Sequence, residues 1–362
     1  MRFVPMNSVR KGAVIAKPLI DSNGSLLLKE GVILSDPIIQ KIQDKGYKSI
    51  YVKDDYSQGD IEDVIKPEIR RKVTNKIKDT FEFFAKNQGR ETQNSAQIYK
   101  NLDELYDMSK AIVDDLFNQK DIMISMVDIK SMDNYTYSHS VNVAVLSLVI
   151  GIAAQLTKNE LYEITMGAML HDIGKIFVPK EILNKPGKLT DEEFKIIQQH
   201  TVKGYEYISQ NSSIKATTKI IALQHHLNMD GSGYPSGNKL SQIHKFSRIV
   251  SIADIYDALT SDRSYRKAFA PSEAIEYIMS LASSKLDIDY VKVFVKKIIP
   301  YPVGTIVMLS NGETAVVKKL NEGFPMRPVV ELIINGKLTD EKIDLMEMNN
   351  QVIKEIVYEI SG

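Results

Sequence analysis

Five of the six histidines lie between positions 139 and 226: His139, His171, His200, His225 and His226. Singly, each has an ordinary explanation. His171, for example, continues the apolar stripe Leu161, Ile164, Ala168 of its helix, and a histidine on such a face is usually a hydrogen-bonded core residue. Together they weaken that explanation, because His171-Asp172 and His225-His226 are adjacent pairs near expected helix ends, and helical neighbours point about 100° apart. One metal ion uses such a pair poorly. Two ions about 3.5 to 4 Å apart use it well, since each residue faces its own ion while a carboxylate such as Asp172 bridges them. Asp254, in Ser251-Ile-Ala-Asp254-Ile-Tyr-Asp257, adds a carboxylate to an apolar helix, where it needs either a metal or a salt bridge. Imidazole and carboxylate without thiolate suit iron, manganese, cobalt, nickel or zinc. A dinuclear site of this kind acidifies bound water toward a pKa of about 7, polarises a phosphoryl oxygen and steadies the leaving oxygen. Phosphoester hydrolysis is the chemistry it suits.

Further groups stand ready for an anionic substrate. Lys175 follows His171-Asp172-Ile-Gly174 and can neutralise phosphate charge, or simply favour a helix C-terminus. Asp230-Gly-Ser-Gly-Tyr-Pro235 follows the paired histidines, its glycines permitting close backbone approach and Tyr234 able to stack on a base. Arg263, Arg266 and Lys267 can hold phosphates, or belong to a polar loop between helices.

The elements that must position these groups are helices. From 126 to about 298 the pattern is helix after helix. Thr190-Asp-Glu-Glu193 is a capping box opening a helix whose apolar residues Phe194, Ile197, Tyr205 and Ile208 share a face. Residues 59–125 are charged with helical apolar spacing and read as linking helices; the cluster Arg70, Arg71, Lys72, Lys76, Lys78 is interspersed with Glu68 and Asp79 and reads as a solvated face. Residues 1–58 read as a small α+β unit, with an Asn23-Gly24 hairpin between Pro18-Leu-Ile and Leu26-Leu-Leu, a helix start at Ser35-Asp-Pro, and a strand at Lys48-Ser-Ile-Tyr-Val. Asp54 and Asp55 follow that strand as in a phosphoacceptor receiver. Residues 8–12, Ser-Val-Arg-Lys-Gly, lack the acidic pair such a domain needs, and a solvated loop is preferred. Residues 299–362 switch to short strands around Asn311-Gly312 and Asn335-Gly336, a small β domain.

Composition narrows the class. At 362 residues the length prior is two to three domains. Hydrophobic residues at 43% and charged residues at 25% exclude a disordered or fibrous chain. Lys plus Arg and Asp plus Glu both number 46, so no net field draws the chain to polymeric nucleic acid or an anionic membrane. The absence of cysteine excludes a disulfide scaffold and fits a reducing compartment. The start, Met1-Arg-Phe-Val-Pro-Met, lacks a signal-peptide core, and the run Val143–Leu156 falls short of a membrane span, which predicts a cytoplasmic protein.

Six ordered motifs now carry a resemblance. They are Tyr137-Ser-His139-Ser, His171-Asp-Ile-Gly-Lys175, Lys185-Pro-Gly-Lys-Leu-Thr-Asp-Glu-Glu-Phe194, His225-His226, Asp230-Gly-Ser-Gly-Tyr-Pro235, and the stretch Ser247 to Lys267 containing Asp254. The segment 126–298 resembles the HD-GYP family of HD phosphohydrolases, which hydrolyse cyclic di-GMP. The resemblance implies a mainly α catalytic domain, an HD-type helical bundle, between small N-terminal α+β and C-terminal β accessory domains. It implies metal ligation by His139, His171, Asp172, His200, His225, His226 and Asp254, with Asp172 bridging two divalent ions, iron or manganese. It also implies that Lys175, Arg263 and Arg266 contact phosphate or guanine and that Tyr234 belongs to the loop over the substrate. Hydrolysis by a metal-bridging hydroxide to linear pGpG, GMP or both would follow, with Asp172 and Lys175 in catalytic roles. His244 matches no ligand position. Two departures stand out: Leu227 replaces the acidic residue usual after the paired histidines, and Tyr135 stands where some members carry a glutamate for a third metal. A receptor that binds cyclic di-GMP without cleaving it, a hydrolase of another cyclic dinucleotide or phosphoester, and a homodimeric assembly are the alternatives left open.

Overall fold

The protein was analysed as a computed structural model that describes all residues except 21–25, 48, 58–62, 89–94, 120–121, 126–134, 211–212, 237–242, 262–267 and 360–362. The Asn23-Gly24 turn therefore lies outside the described residues. The expected change of period along the chain is found: an α/β segment, a run of helices, then a β-sheet. Contacts divide the described chain into two units, Val64–Ile124 with Tyr135–Lys297, and Met1–Asp63 with Ser125–Asn134 and Ile298–Gly362.

The second of these begins with β1 (Arg2–Pro5), β2 (Val14–Ile15), β3 (Leu19–Ile20), β4 (Leu26–Leu28), α1 (Asp36–Asp44) and β5 (Ser49–Lys53). Strand β5 sits between β1 and β2 in an antiparallel sheet, and β3 pairs with β4. Val4, Ile15, Leu34, Ile42, Ile50 and Val52 form its core. Asp54 is occupied structurally: its carboxylate takes the Ser57 hydroxyl and pairs with Arg2.

The helical unit starts with α2 (Pro67–Lys86) and α3 (Ser95–Phe117), which pack against it. Short β6 (Ile124–Ser125) follows, then α4 (Tyr135–Ala153), α5 (Lys158–Leu170), a 3-10 turn at Ile173–Phe177, α6 (Lys180–Leu183), α7 (Asp191–Ser209), α8 (Ala216–Gln224), α9 (Lys245–Thr260), α10 (Pro271–Leu281) and α11 (Ile288–Lys297). Helix α4 is apolar around its circumference, burying Val141, Val143, Ala144, Leu146, Leu148 and Ile150, as a central helix must. No helix among the described residues is long and apolar enough to cross a membrane. The capping box at Thr190 and Glu193 is formed, and a second at Thr157 and Glu160 opens α5. The buried face of α7 overlaps the expected one only in part, at Ile208, with Ile197 and Tyr205 half-buried. His200, Thr201, Gly204, Tyr207 and Ile208 are buried while Phe194 is exposed, because the helix turns its small residues toward a close neighbour.

After β7 (Ile298–Ile299) come β8 (Ile306–Leu309), β9 (Thr314–Lys319), β10 (Val329–Ile334), β11 (Lys337–Asp344) and β12 (Ile353–Ile356), an antiparallel sheet in the order β11-β10-β9-β8-β12. Alternation holds: Val307, Ala315, Val317, Val330 and Leu332 face one core, and Ile306, Val316 and Ile333 the other side. Asn335 and Gly336, both at positive φ, make the tight β10–β11 turn. This sheet and the N-terminal segment belong to one unit, joined by Tyr56, whose hydroxyl donates to the Gly336 carbonyl at 2.5 Å, and by Arg2 Nη1 donating to the Tyr358 carbonyl at 3.1 Å.

Candidate metal centre

Helix ends bring the histidines together. His171 caps the C-terminus of α5 and His225 that of α8, so each pair sits where the chain turns and its two side chains can diverge. His139 comes from α4, His200 from α7 and Asp254 from α9. Two close backbone crossings set the spacing. A Cβ on Gly174 would lie 1.8 Å from the His200 carbonyl oxygen, and one on Gly204 would lie 2.9 Å from Gly174 N; the 3-10 turn after Asp172 therefore lies directly on α7. A Cβ on Gly233, which is at positive φ, would lie 2.2 Å from the His226 carbonyl oxygen, while Tyr234 N donates to that oxygen at 3.2 Å.

All seven candidate ligands from the sequence converge. Their donor atoms fall into three overlapping groups: His200, His225 and His226; His139, His171 and Asp254; His171, Asp172 and His225. Asp172 stands between two histidine pairs. Its Oδ2 lies 3.4 Å from His171 Nε2 and 3.7 Å from His139 Nε2, and its Oδ1 lies 3.4 Å from His200 Nε2 and 4.0 Å from His225 Nε2. Asp254 places Oδ1 3.2 Å from His139 Nε2 and Oδ2 3.7 Å from His226 Nδ1.

Hydrogen bonds behind the rings fix which nitrogen faces inward. Nδ1 of His171 meets the Ala168 carbonyl at 2.7 Å, that of His200 the Ile197 carbonyl at 2.7 Å, and that of His225 the Ile221 carbonyl at 3.0 Å. A carbonyl only accepts, so each Nδ1 carries a hydrogen and Nε2 is the nitrogen turned to the centre. His139 Nδ1 instead meets Asp257 Oδ2 at 2.6 Å. Burial lowers His200 to a pKa of about 4 and His225 well below the usual imidazole value, leaving both neutral. For His139 burial also acts downward, but Asp254 and Asp257 outweigh it and the pKa is raised to about 9. Burial alone would raise the carboxyls of Asp172 and Asp254. Lys175 and His171 beside the first, and His139 and His226 beside the second, hold both well below the carboxylate range.

The donor set suits a divalent metal by its chemistry and by its loose ends. His171 Nε2 and Asp172 Oδ1 are buried without a hydrogen-bond partner, a costly state that an ion between them removes.

Around the centre, Lys175 Nζ is paired with Asp172 Oδ2. The Tyr234 ring lies 4.6 Å from the His226 ring, and the exposed Phe194 ring is 6.1 Å beyond Tyr234. Arg263, Arg266 and Lys267 lie outside the described residues. Leu227 is buried and bridges Gly233, away from solvent. His244 caps α9, its Nδ1 accepting from Phe246 N, apart from the donor groups above. Tyr135 opens α4, and its side chain lies outside the described part. Two residues without an assigned role in the sequence reading support the site: Asp257, and Asn142, whose Nδ2 donates to Asp257 Oδ1 at 2.9 Å. Their signal was present, since each follows a candidate ligand by three positions on its helix and so shares its face.

Residues 121–289 match the family described as HD domain, and residues 306–361 match that described as KOW domain associated with HD domain. A cyclic di-GMP phosphodiesterase of Pseudomonas aeruginosa is 38% identical over 217 residues, covering 59% of this chain and 52% of that one. A cyclic di-GMP phosphodiesterase of Thermotoga maritima is 39% identical over 184 residues, 51% of this chain and 50% of the relative. A 3'3'-cGAMP-specific phosphodiesterase of Vibrio cholerae is 37% identical over 150 residues, 41% of this chain and 32% of the relative. The chain spans about half the length of the first two. Residues 121–289 are thus similar to the HD domain family, and the chain is similar over about half its length to proteins named cyclic di-GMP phosphodiesterases.

Proposed function

We propose that this protein is a metal-dependent phosphodiesterase that opens cyclic di-GMP to linear pGpG, GMP or both. The observation that carries the reading is Asp172 standing between two pairs of inward-facing imidazole nitrogens, the position of a shared ligand. His139, His171, Asp172, His200, His225, His226 and Asp254 would hold two divalent ions, iron or manganese. Ions bound there supply Lewis acidity to a phosphoryl oxygen and acidify water. The residues of the chain do the rest. Carbonyls of Ala168, Ile197 and Ile221 keep three imidazoles in the required tautomer. Lys175, already beside Asp172, is in place to offset negative charge that builds on phosphate. Tyr234, whose phenol burial keeps protonated, offers a ring face to guanine at the edge of the site, and Arg263 and Arg266 would contact phosphate or guanine. A cytoplasmic setting, in keeping with a chain free of cysteine, belongs to the same reading.

The relative specific for 3'3'-cGAMP favours a second substrate reading, in which one guanine is replaced by adenine. One experiment separates them. Anaerobically purified protein is analysed for metal, supplied with iron or manganese, and incubated with each cyclic dinucleotide before chromatography. About two metals per chain with pGpG or GMP from cyclic di-GMP is the expected result. Turnover of cGAMP alone moves the assignment to that substrate, binding without any product makes the protein a receptor, and a chain that takes up no metal overturns the reading. Replacing His171 and Asp172 together by alanine is expected to abolish metal retention and hydrolysis while circular dichroism stays helical; unchanged metal content would defeat the ligand assignment.

A further inference from the structure

Helix α2 precedes the HD domain matched at residues 121–289, yet one of its side chains turns inward. Arg70 is 8% exposed, a rare state for a guanidinium in a helix otherwise rich in solvated charge. Its Nη1 donates to Asn142 Oδ1 at 2.7 Å, Asn142 Nδ2 donates to Asp257 Oδ1 at 2.9 Å, and Asp257 Oδ2 holds His139 Nδ1 at 2.6 Å. All four residues are buried or nearly so, and all belong to one unit. The chain of bonds runs from α2 through α4 and α9 to a candidate metal ligand.

The chemistry of the two ends dictates the middle. A guanidinium only donates and a carboxylate only accepts, so the Asn142 amide has one orientation, oxygen to Arg70 and nitrogen to Asp257. Removing the guanidinium takes away the donor that sets this orientation; an amide turned the other way would place its oxygen against Asp257, two acceptors in opposition, and weaken the carboxylate's hold on the imidazole. Arg70 also brings a positive charge toward a site where the buried carboxylates Asp172, Asp254 and Asp257 all lie within 3.7 Å of the His139 ring nitrogens.

We infer that Arg70 is a positioning residue for the metal centre, acting through Asn142 and Asp257 to orient His139. This rests on the metal reading above. The dinuclear site thus takes part of its support from a helix outside the HD domain, and α2 is a structural component of the site rather than a spacer.

The test uses the full chain and three substitutions: Arg70→Met, which removes the donor at similar length; Arg70→Lys, which keeps a cationic donor; and Asn142→Ala. Manganese affinity is measured by titration, with kcat and KM for cyclic di-GMP and with Tm as a control on folding. Arg70→Met is expected to weaken manganese binding by about 10-fold or more and to lower kcat with KM unchanged, the size seen when support behind a metal ligand is lost. Arg70→Lys should recover much of the loss. In the Arg70→Met, Asn142→Ala double variant the affinity should fall no further than in Asn142→Ala alone, because the arginine acts through the amide. A folded Arg70→Met protein with the parent affinity and kcat overturns the inference, and so do additive losses or equal losses for Met and Lys, which would mark a packing role. If Arg70→Met fails to fold, Arg70→Lys against Asn142→Ala reads the same coupling. A parent chain that binds no manganese overturns the metal reading itself, and this inference with it.

Discussion

His139 sits between two carboxylates, Nδ1 on Asp257 and Nε2 on Asp254, and is therefore protonated at neutral pH, with a pKa raised to about 9. His200 and His225, lowered by burial, are neutral there. A metal entering the centre must displace the His139 Nε2 proton and finds those two imidazoles ready. The sign follows: below about pH 9 the proton competes, so this group makes metal affinity rise about tenfold per pH unit, and above pH 9 its contribution is flat. Calorimetric titration of manganese at pH 7 in buffers of different ionisation enthalpy should show about one proton released from this group; none released would contradict the assignment of His139 as a ligand. At this scale the five clustered histidines stand out in the sequence because histidine is scarce, and the full set of seven candidate ligands follows from the resemblance that the ordered motifs carry. Asp257 and Asn142 were not assigned, because a carboxylate or amide three positions after a ligand is equally at home on a solvated face until the fold shows it buried.

Among the elements, the two capping boxes and two glycines hold the site. Thr157 accepts from Glu160 N and opens α5, whose other end delivers His171; Thr157→Ala is expected to cost about 1 kcal/mol, read as a lower Tm with metal stoichiometry intact. Gly174→Ala is a harsher change. The added methyl would meet the His200 carbonyl oxygen at 1.8 Å, and with backbone on both sides the crossing cannot relax. A loss of about 3 kcal/mol or more, together with weakened metal binding as the 3-10 turn and α7 separate, is the expected outcome by thermal melting and titration. Helix α7 shows how far periodicity reaches. Its capping box and span were legible, but of the apolar stripe Phe194, Ile197, Tyr205, Ile208 only Ile208 is fully buried, since the close crossing at Gly204 and the inward His200 shift the buried face toward Tyr207. Hydrophobic spacing weighs only transfer from water, whereas here backbone proximity and a buried imidazole decide.

Across the molecule, the two units should respond differently to metal. An ion that binds only the folded helical unit stabilises it by mass action, about 2.7 kcal/mol at one hundred times its Kd, while the sheet unit offers no comparable donor group among its described residues. Differential scanning calorimetry with and without manganese should therefore move one transition and leave the other in place; a common shift would mean that the units unfold together. Tyr56→Phe is expected to act on the other transition, losing the hydroxyl bond to the Gly336 carbonyl at a cost of about 1 kcal/mol. The amino-acid sequence by itself determined the class of each segment and marked the candidate site: periods of 3.6 and 2, Asn-Gly turns and a capping box are local properties, and the candidate site was marked by clustered His and Asp. Only the tertiary structure decided that the two ends of the chain form one unit, that α2 lends Arg70 to the metal centre, and that Asp172 stands between two histidine pairs. Apart from the neighbouring His171 and Asp172, those are contacts between residues far apart in the chain, and they follow from how buried polar groups are paired once the helices have packed, which no local pattern encodes.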